Sequence, residues 1–135
     1  MDRVVLDHFI CRPDEVETCV ELTSRGCYVE FDLWGMEVFP TVAALTRTPP
    51  EVRAASLAWF IAAGMTDRIL LSHDTGHRQQ LRHHGGYGLA HLLRDLTPQF
   101  HAYGITDEAL DRITVQNPRR LMPYRPIGAA AGAVR

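Results

Sequence analysis

Three short runs of the chain are mostly apolar and finish on a polar residue: Val4–His8, Tyr28–Asp32 and Arg68–Asp74. Aliphatic and β-branched side chains dominate them, and turn-forming residues bound them, which predicts strands. Between the runs, apolar positions recur at helical spacing. Pro13–Arg25 carries Val16, Cys19, Val20 and Leu22 on one face, opens with Pro-Asp-Glu and stops at Gly26. Pro50–Ala63 carries Val52, Leu57, Phe60 and Ile61 and stops at Gly64. A proline near the start and a glycine just past the end mark helix boundaries. Leu89–Tyr103 and Asp107–Val115 read as two further helices, separated by Gly104 and the N-cap candidate Thr106. Strands that alternate with helices in this way predict βαβ units with parallel strands, an α/β fold.

Composition narrows the reading. A chain of 135 residues with 46% hydrophobic and 22% charged residues is an ordinary globular domain, not a disordered or fibrous one. A formal net charge of -2 argues against a broad basic face for nucleic acid. No apolar run approaches the roughly 20 residues that cross a bilayer, and Met1-Asp2-Arg3-Val4 does not open a secretory signal. A cytoplasmic location is therefore expected, with no membrane partner. Cys11, Cys19 and Cys27 are odd in number and lack C-x-x-C spacing, so they read as small buried hydrophobes. Residues 125–135 show no usable periodicity and are expected to form a disordered tail.

Candidate chemistry sits at the strand ends. His8, Asp32 and Asp74 each close a predicted strand, and parallel α/β folds place their sites at the carboxyl ends of the strands. Alternation puts His8 on the side of Val4 and Leu6, and Asp74 on the side of Leu70 and Ser72, with His73 turned away. Glu30 and Asp32 would share one side.

The run Arg25–Glu37 (RGCYVEFDLWGME) resembles the seventh-strand segment of the phosphotriesterase family, in particular its phosphotriesterase-related branch. Asp67–Asp74 (DRILLSHD) is similar to that family's eighth strand, followed by a comparable loop, Gly85–Leu93. Gly104-Ile105-Thr106 and Val115–Leu121 match its closing helices, so the likeness extends to about Met122. The resemblance implies a metal-dependent hydrolase of the amidohydrolase superfamily, built on a TIM (β/α)8 barrel. It would act on ester, lactone, amide or phosphoester bonds in a small-molecule substrate. Residues 1–124 would form a partial barrel holding strands six to eight. By the same resemblance His8 binds the second of two divalent ions, zinc, and Asp74 contacts the first metal and a bridging hydroxide. Asp74 is then the catalytic residue that accepts the proton of the attacking water. Asp32, Trp34 and Tyr87 are the candidate substrate-binding residues.

The chain departs from the family in ways that matter. Ile10 and Cys11 stand where the family carries an acidic residue, which leaves Asp14 as a candidate to orient His8. Tyr87 and Leu89 break the family's Gly-Gly-His-Gly-Tyr loop, a change expected to alter substrate choice more than chemistry. A complete barrel takes roughly 250 residues. The family's first-strand His-x-His, fourth-strand lysine and fifth-strand histidine have no counterpart here. The chain is thus expected to be the C-terminal part of an enzyme, inactive alone, with an uncovered inner face, completed by an N-terminal barrel half or by self-association. The alternative is a non-catalytic α/β fragment or binding module that keeps the family sequence without its activity.

Other constellations carry less. His73, His77, His83, His84 and His91 read as a solvated loop and helix start. Gly85-Gly86-Tyr87-Gly88 ahead of a helix could cradle a phosphate on its N–H groups but lacks a P-loop's Lys-Ser/Thr. Trp34 would line the barrel mouth, and Trp59, on a helix, reads as core.

Overall fold

The computed structural model describes residues 3–9, 15–36 and 48–123. Strands β1 (Val5–Leu6), β2 (Tyr28–Phe31) and β3 (Ile69–Leu71) make one sheet in the order β1-β2-β3, all parallel. Leu6 pairs with Val29, and Val29 in turn with Ile69, so one register runs across all three. Helix α1 (Val16–Ser24) separates β1 from β2, and α2 (Pro50–Ala62) separates β2 from β3. The alternation read from the sequence is the alternation of the fold.

Each strand is shorter than its apolar run. His8, Leu33 and Asp74 have φ of 51°, 63° and 50°, and a left-handed residue cannot continue a pleated ladder. A 3-10 turn at Thr66–Arg68 also delays the start of β3. Single hydrogen bonds still carry the pairing outward, from Phe9 N–H to Glu30 O (3.0 Å) and from Ser72 N–H to Phe31 O (3.1 Å).

The helices cover the sheet face that bears Val29, Phe31 and Ile69, which join Leu57, Phe60, Phe100, Ile105 and Ile113 in the core. Phe9, Phe31 and Phe60 meet edge to face at centroid separations of 5.6, 5.6 and 5.8 Å, the geometry that aligns ring edges with ring faces. The opposite face is not bare, contrary to expectation: Tyr28 and Leu70 are buried there, and the Arg68 guanidinium lies 5.2 Å from the Tyr28 ring. Cys19 and Cys27 are buried as small hydrophobes. Cys11, Asp14 and the tail 125–135 fall outside the described residues.

The two C-terminal helical stretches share a departure from regular helix. Leu92–Leu96 is a π-turn that runs into α3 (Thr97–Ala102), and Arg112–Gln116 is a π-turn between α4 (Asp107–Asp111) and α5 (Asn117–Leu121). Each precedes an X-Pro pair, Thr97-Pro98 and Asn117-Pro118. Proline has no N–H for the carbonyl four residues back and its ring crowds that carbonyl, so the preceding turn widens. Thr97 Oγ1 and Thr114 Oγ1 donate to the Leu93 and Leu110 carbonyls (2.9 and 2.7 Å). Thr106 caps α4 as expected, accepting from Ala109 N–H at 3.2 Å. Asn117, fully buried, donates through Nδ2 to the carbonyls of Thr66 and Ile69, both at 2.7 Å, and so fastens α5 to the start of β3. Among the described residues no helix is long and apolar enough to cross a membrane.

Candidate metal centre

The sheet delivers the ends of its three strands to one place. His8 lies two residues beyond β1, Asp32 directly follows β2, and Asp74 lies three beyond β3. One ligand atom from each falls within 4.8 Å of the others, and no other such trio of His, Cys, Asp or Glu occurs among the described residues. His8 and Asp74 are exposed while Asp32 is buried. The route differs from simple alternation. The left-handed turns at His8 and Asp74 set where these side chains go, after the strands have ended.

Asp32 Oδ2 lies 2.6 Å from His8 Nδ1 and also accepts the His8 backbone N–H at 3.1 Å. The carboxylate that meets His8 is therefore Asp32, from the neighbouring strand. This bond, with the negative charge behind it, raises the His8 pKa above its ordinary value, and the Asp7 and Asp74 carboxylates add to the rise. Burial raises the Asp32 pKa, against the opposing pull of its hydrogen bonds to His8. With Nδ1 engaged, Nε2 is the ring nitrogen left to His8 for a cation, the arrangement that second-sphere carboxylates commonly enforce. Asp32 Oδ1 is buried without a hydrogen-bond partner, an uncompensated lone pair that a nearby cation would offset. An imidazole and a carboxylate, from His8 and Asp74, with Asp32 behind the imidazole, are donors suited to zinc and similar divalent ions. The residues present fit such an ion.

Two supports were not anticipated. Arg53, on the buried face of α2, donates from Nη1 to the Asp32 carbonyl (3.2 Å), and burial lowers its pKa to about 10. The signal was available, since Arg53 precedes Leu57 by four and Phe60 by seven and so shares their face. Gln80, also buried, bonds back into the segment that follows Asp74, a local arrangement in which a glutamine three residues after His77 accepts the His77 N–H as in a capping box.

The two tryptophans sit differently from expectation. Trp34 is 1% exposed: its ring meets Phe100 edge to face at 5.2 Å, its indole N–H donates to Phe31 O (3.1 Å), and Arg53 sits over it at 4.7 Å. That is a core position, not a mouth. Trp59 makes the reverse departure, at 44% exposed, because α2 turns Arg53 inward and leaves Trp59 off the buried face. Tyr87 is exposed and stacks on His91 at 4.2 Å.

Among the described residues, the histidine-rich stretch brings no three candidate ligand atoms together. His77, His83 and His84 are exposed as expected, but His91 is buried, and His73 is half-buried with Nε2 accepting the Leu92 N–H at 3.0 Å. Burial, with the neighbouring His91, lowers the His73 pKa. The glycine loop is no phosphate cradle at its glycines, because Gly85 N–H bonds to Arg82 O, Gly86 N–H to Leu81 O and Gly88 N–H to Gln80 O.

The model of the phosphotriesterase family matches residues 1–122. A phosphotriesterase-related protein of Nematostella vectensis is 36% identical over 108 residues, 78% of this chain and 31% of that protein. The N-acetyltaurine hydrolase of Danio rerio is 31% identical over 127 residues, 93% of this chain and 34% of that protein. The crystal structure of a phosphotriesterase homology protein from Escherichia coli, complexed with phosphate in its active site, superposes with a TM-score of 0.74 at 28% identity. That superposition covers 88% of this chain and 38% of the other. The chain spans about a third of the length of the curated relatives it matches.

Proposed function

The chain belongs to the phosphotriesterase family, and from that membership we propose that residues 1–124 supply strands six to eight of a (β/α)8 metal-dependent hydrolase. Its bonds of choice are ester, lactone, amide or phosphoester linkages. The N-acetyltaurine hydrolase among its relatives makes an N-acyl amide the first substrate class to assay. The observation that carries this reading is the convergence of His8, Asp32 and Asp74 at the carboxyl ends of three parallel strands.

Bound divalent ions, two zinc ions by family resemblance, supply the positive charge that acidifies a water and polarises the substrate oxygen. His8 offers Nε2 to one ion, and Asp32 holds its imidazole in a single orientation through Nδ1. Asp74 is the second protein ligand of the proposal and the group that takes the water's proton as it attacks the carbonyl or phosphoryl centre. The ligands that complete the pair come from an N-terminal barrel half or from a second copy of the chain.

Two measurements test this. Calorimetric titration of the dialysed chain with Zn2+ should show binding at the His8–Asp74 site but fewer than two tightly bound ions per chain, because a catalytic zinc site takes about three protein ligands. Co-expression with the N-terminal portion of a relative should then yield hydrolysis of an N-acyl amide, a lactone or an aryl ester that a chelator abolishes and Zn2+ restores. Two tight ions on the chain alone would overturn the shared-ligand arrangement. A folded, complemented pair with no hydrolysis would favour the binding-module alternative.

A further inference from the structure

We infer that Gln80 is a positioning residue that latches the segment after β3 so that Asp74 is held in its metal-ligating place. The inference rests on the reading of Asp74 as a ligand and concerns a residue that does not itself enter the cluster. Gln80 is 6% exposed, and a buried amide costs free energy unless its polar atoms are paired. Here they are paired with one short stretch of chain. Oε1 accepts from Gly76 N–H and His77 N–H, each at 2.8 Å. Nε2 donates to Met36 Sδ at 2.8 Å and reaches the Asp74 carbonyl at 3.4 Å. One side chain thus grips the backbone on both sides of Thr75 and ties it to the loop that follows β2.

The anchor is itself immobilised. Gln80 N–H donates to His77 O (3.0 Å), and Gln80 O accepts from Gly88 N–H (2.8 Å). Gly86 packs so closely on this turn that a Cβ there would fall 2.3 Å from the Gln79 carbonyl oxygen and from the Gln80 carbonyl carbon and oxygen. Asp74 needs such restraint, because its φ of 50° lies in a narrow well that an exposed loop residue does not hold by packing. A bond at the Asp74 carbonyl, with two more at the Gly76 and His77 amides beyond Thr75, limits how its peptide plane can rotate. The side chain, one bond away, inherits that orientation.

The test uses the full chain and Co2+ as the probe, read by titration calorimetry and by the visible ligand-field spectrum, with amide hydrogen exchange as a metal-free readout. Gln80→Ala should speed exchange at Gly76 and His77 at least about tenfold, weaken Co2+ by about 10- to 100-fold, as loss of an outer-sphere support does, and change the spectrum. Gln80→Glu keeps the acceptor for the two amides and loses the donor to Asp74, so exchange should stay slow while the Co2+ spectrum still changes. If Gln80→Ala does not fold, Gln80→Glu alone decides. Co2+ binding and spectra identical to the parent chain in every folded variant would overturn the inference and leave the metal reading standing. Failure of the parent chain to bind Co2+ would overturn both, and the exchange data would then assign Gln80 a purely structural role.

Discussion

Asp74 and His8 leave their strands through left-handed backbone, and aspartate and histidine, with asparagine, are the side chains that enter this region most readily. Asp74→Asn keeps that conformation and an oxygen donor but cannot accept a proton at neutral pH. In the complemented enzyme its kcat should fall by about 100- to 10,000-fold with a smaller change in KM, as read by steady-state kinetics. His8→Ala should instead lower bound metal by elemental analysis, with part of the activity returning in excess Zn2+. Near-parental turnover of Asp74→Asn would reduce Asp74 to a strand-end residue. Away from the site, Asn117→Ala strands two buried carbonyls and should cost about 1–3 kcal/mol in urea unfolding. Residues differed in how far the sequence disclosed them. His8, Asp32 and Asp74 stand out because each interrupts an apolar run where a strand must end. Trp34 and Trp59 exchanged roles because their burial depends on how α2 is rotated, which Val52 and Arg53 contest as neighbours on the helix. Asn117 could not be read, since its partners are backbone atoms of another segment, nor could the burial of Gln80 against Met36, 44 residues away.

At the level of elements, the helix and strand order is legible from periodicity, while the lengths are set by features that periodicity does not see. Left-handed residues cut the strands, and Pro98 and Pro118 open the π-turns. The glycine loop owes its second glycine to close packing on the Gln79–Gln80 backbone. Gly86→Ala should therefore destabilise the chain by about 1–3 kcal/mol, the usual cost of overpacking, seen as a lower thermal midpoint. An unchanged midpoint would mean that the loop gives way. Within the Leu92–Leu96 turn, Asp95 pairs with Arg94 and lies 3.0 Å from His91 Nδ1. Those bonds, Arg94 first, hold its carboxyl well below the usual carboxylate range. A carboxyl held below its unfolded pKa stabilises the fold above about pH 4, and that contribution fades as the pH falls through the folded value. Asp95→Asn should thus lower the urea midpoint at pH 6 and differ less from the parent at pH 3. Because the pair is exposed, added salt should shrink the difference.

The whole molecule places its candidate chemistry at the carboxyl end of a parallel sheet, as the α/β order implies. Among the described residues β1 and β3 are each paired along one edge only, and Leu89, Leu93 and Met122 are 68, 66 and 69% exposed. Open strand edges and exposed apolar side chains favour association. Light scattering on the chain should show a mass that rises with concentration, and co-expression with an N-terminal barrel portion should lower it to that of one complex. A concentration-independent monomer that unfolds in a single cooperative step would count against completion by a partner.

The left-handed turns at His8 and Asp74 also bear on how the site can change over generations. A substitution at either position must satisfy the backbone before it can serve a metal, and few residues do. Among the single-base neighbours of a histidine codon, asparagine and aspartate tolerate the conformation, and both bring oxygen in place of nitrogen. For an aspartate codon the tolerated neighbours are asparagine, histidine and glycine. Drift at these positions is thereby channelled toward exchange between nitrogen and oxygen donors or outright loss, with the backbone path unchanged. Lineages of this fold should diverge in the donor atoms offered here sooner than in the place where a metal would sit.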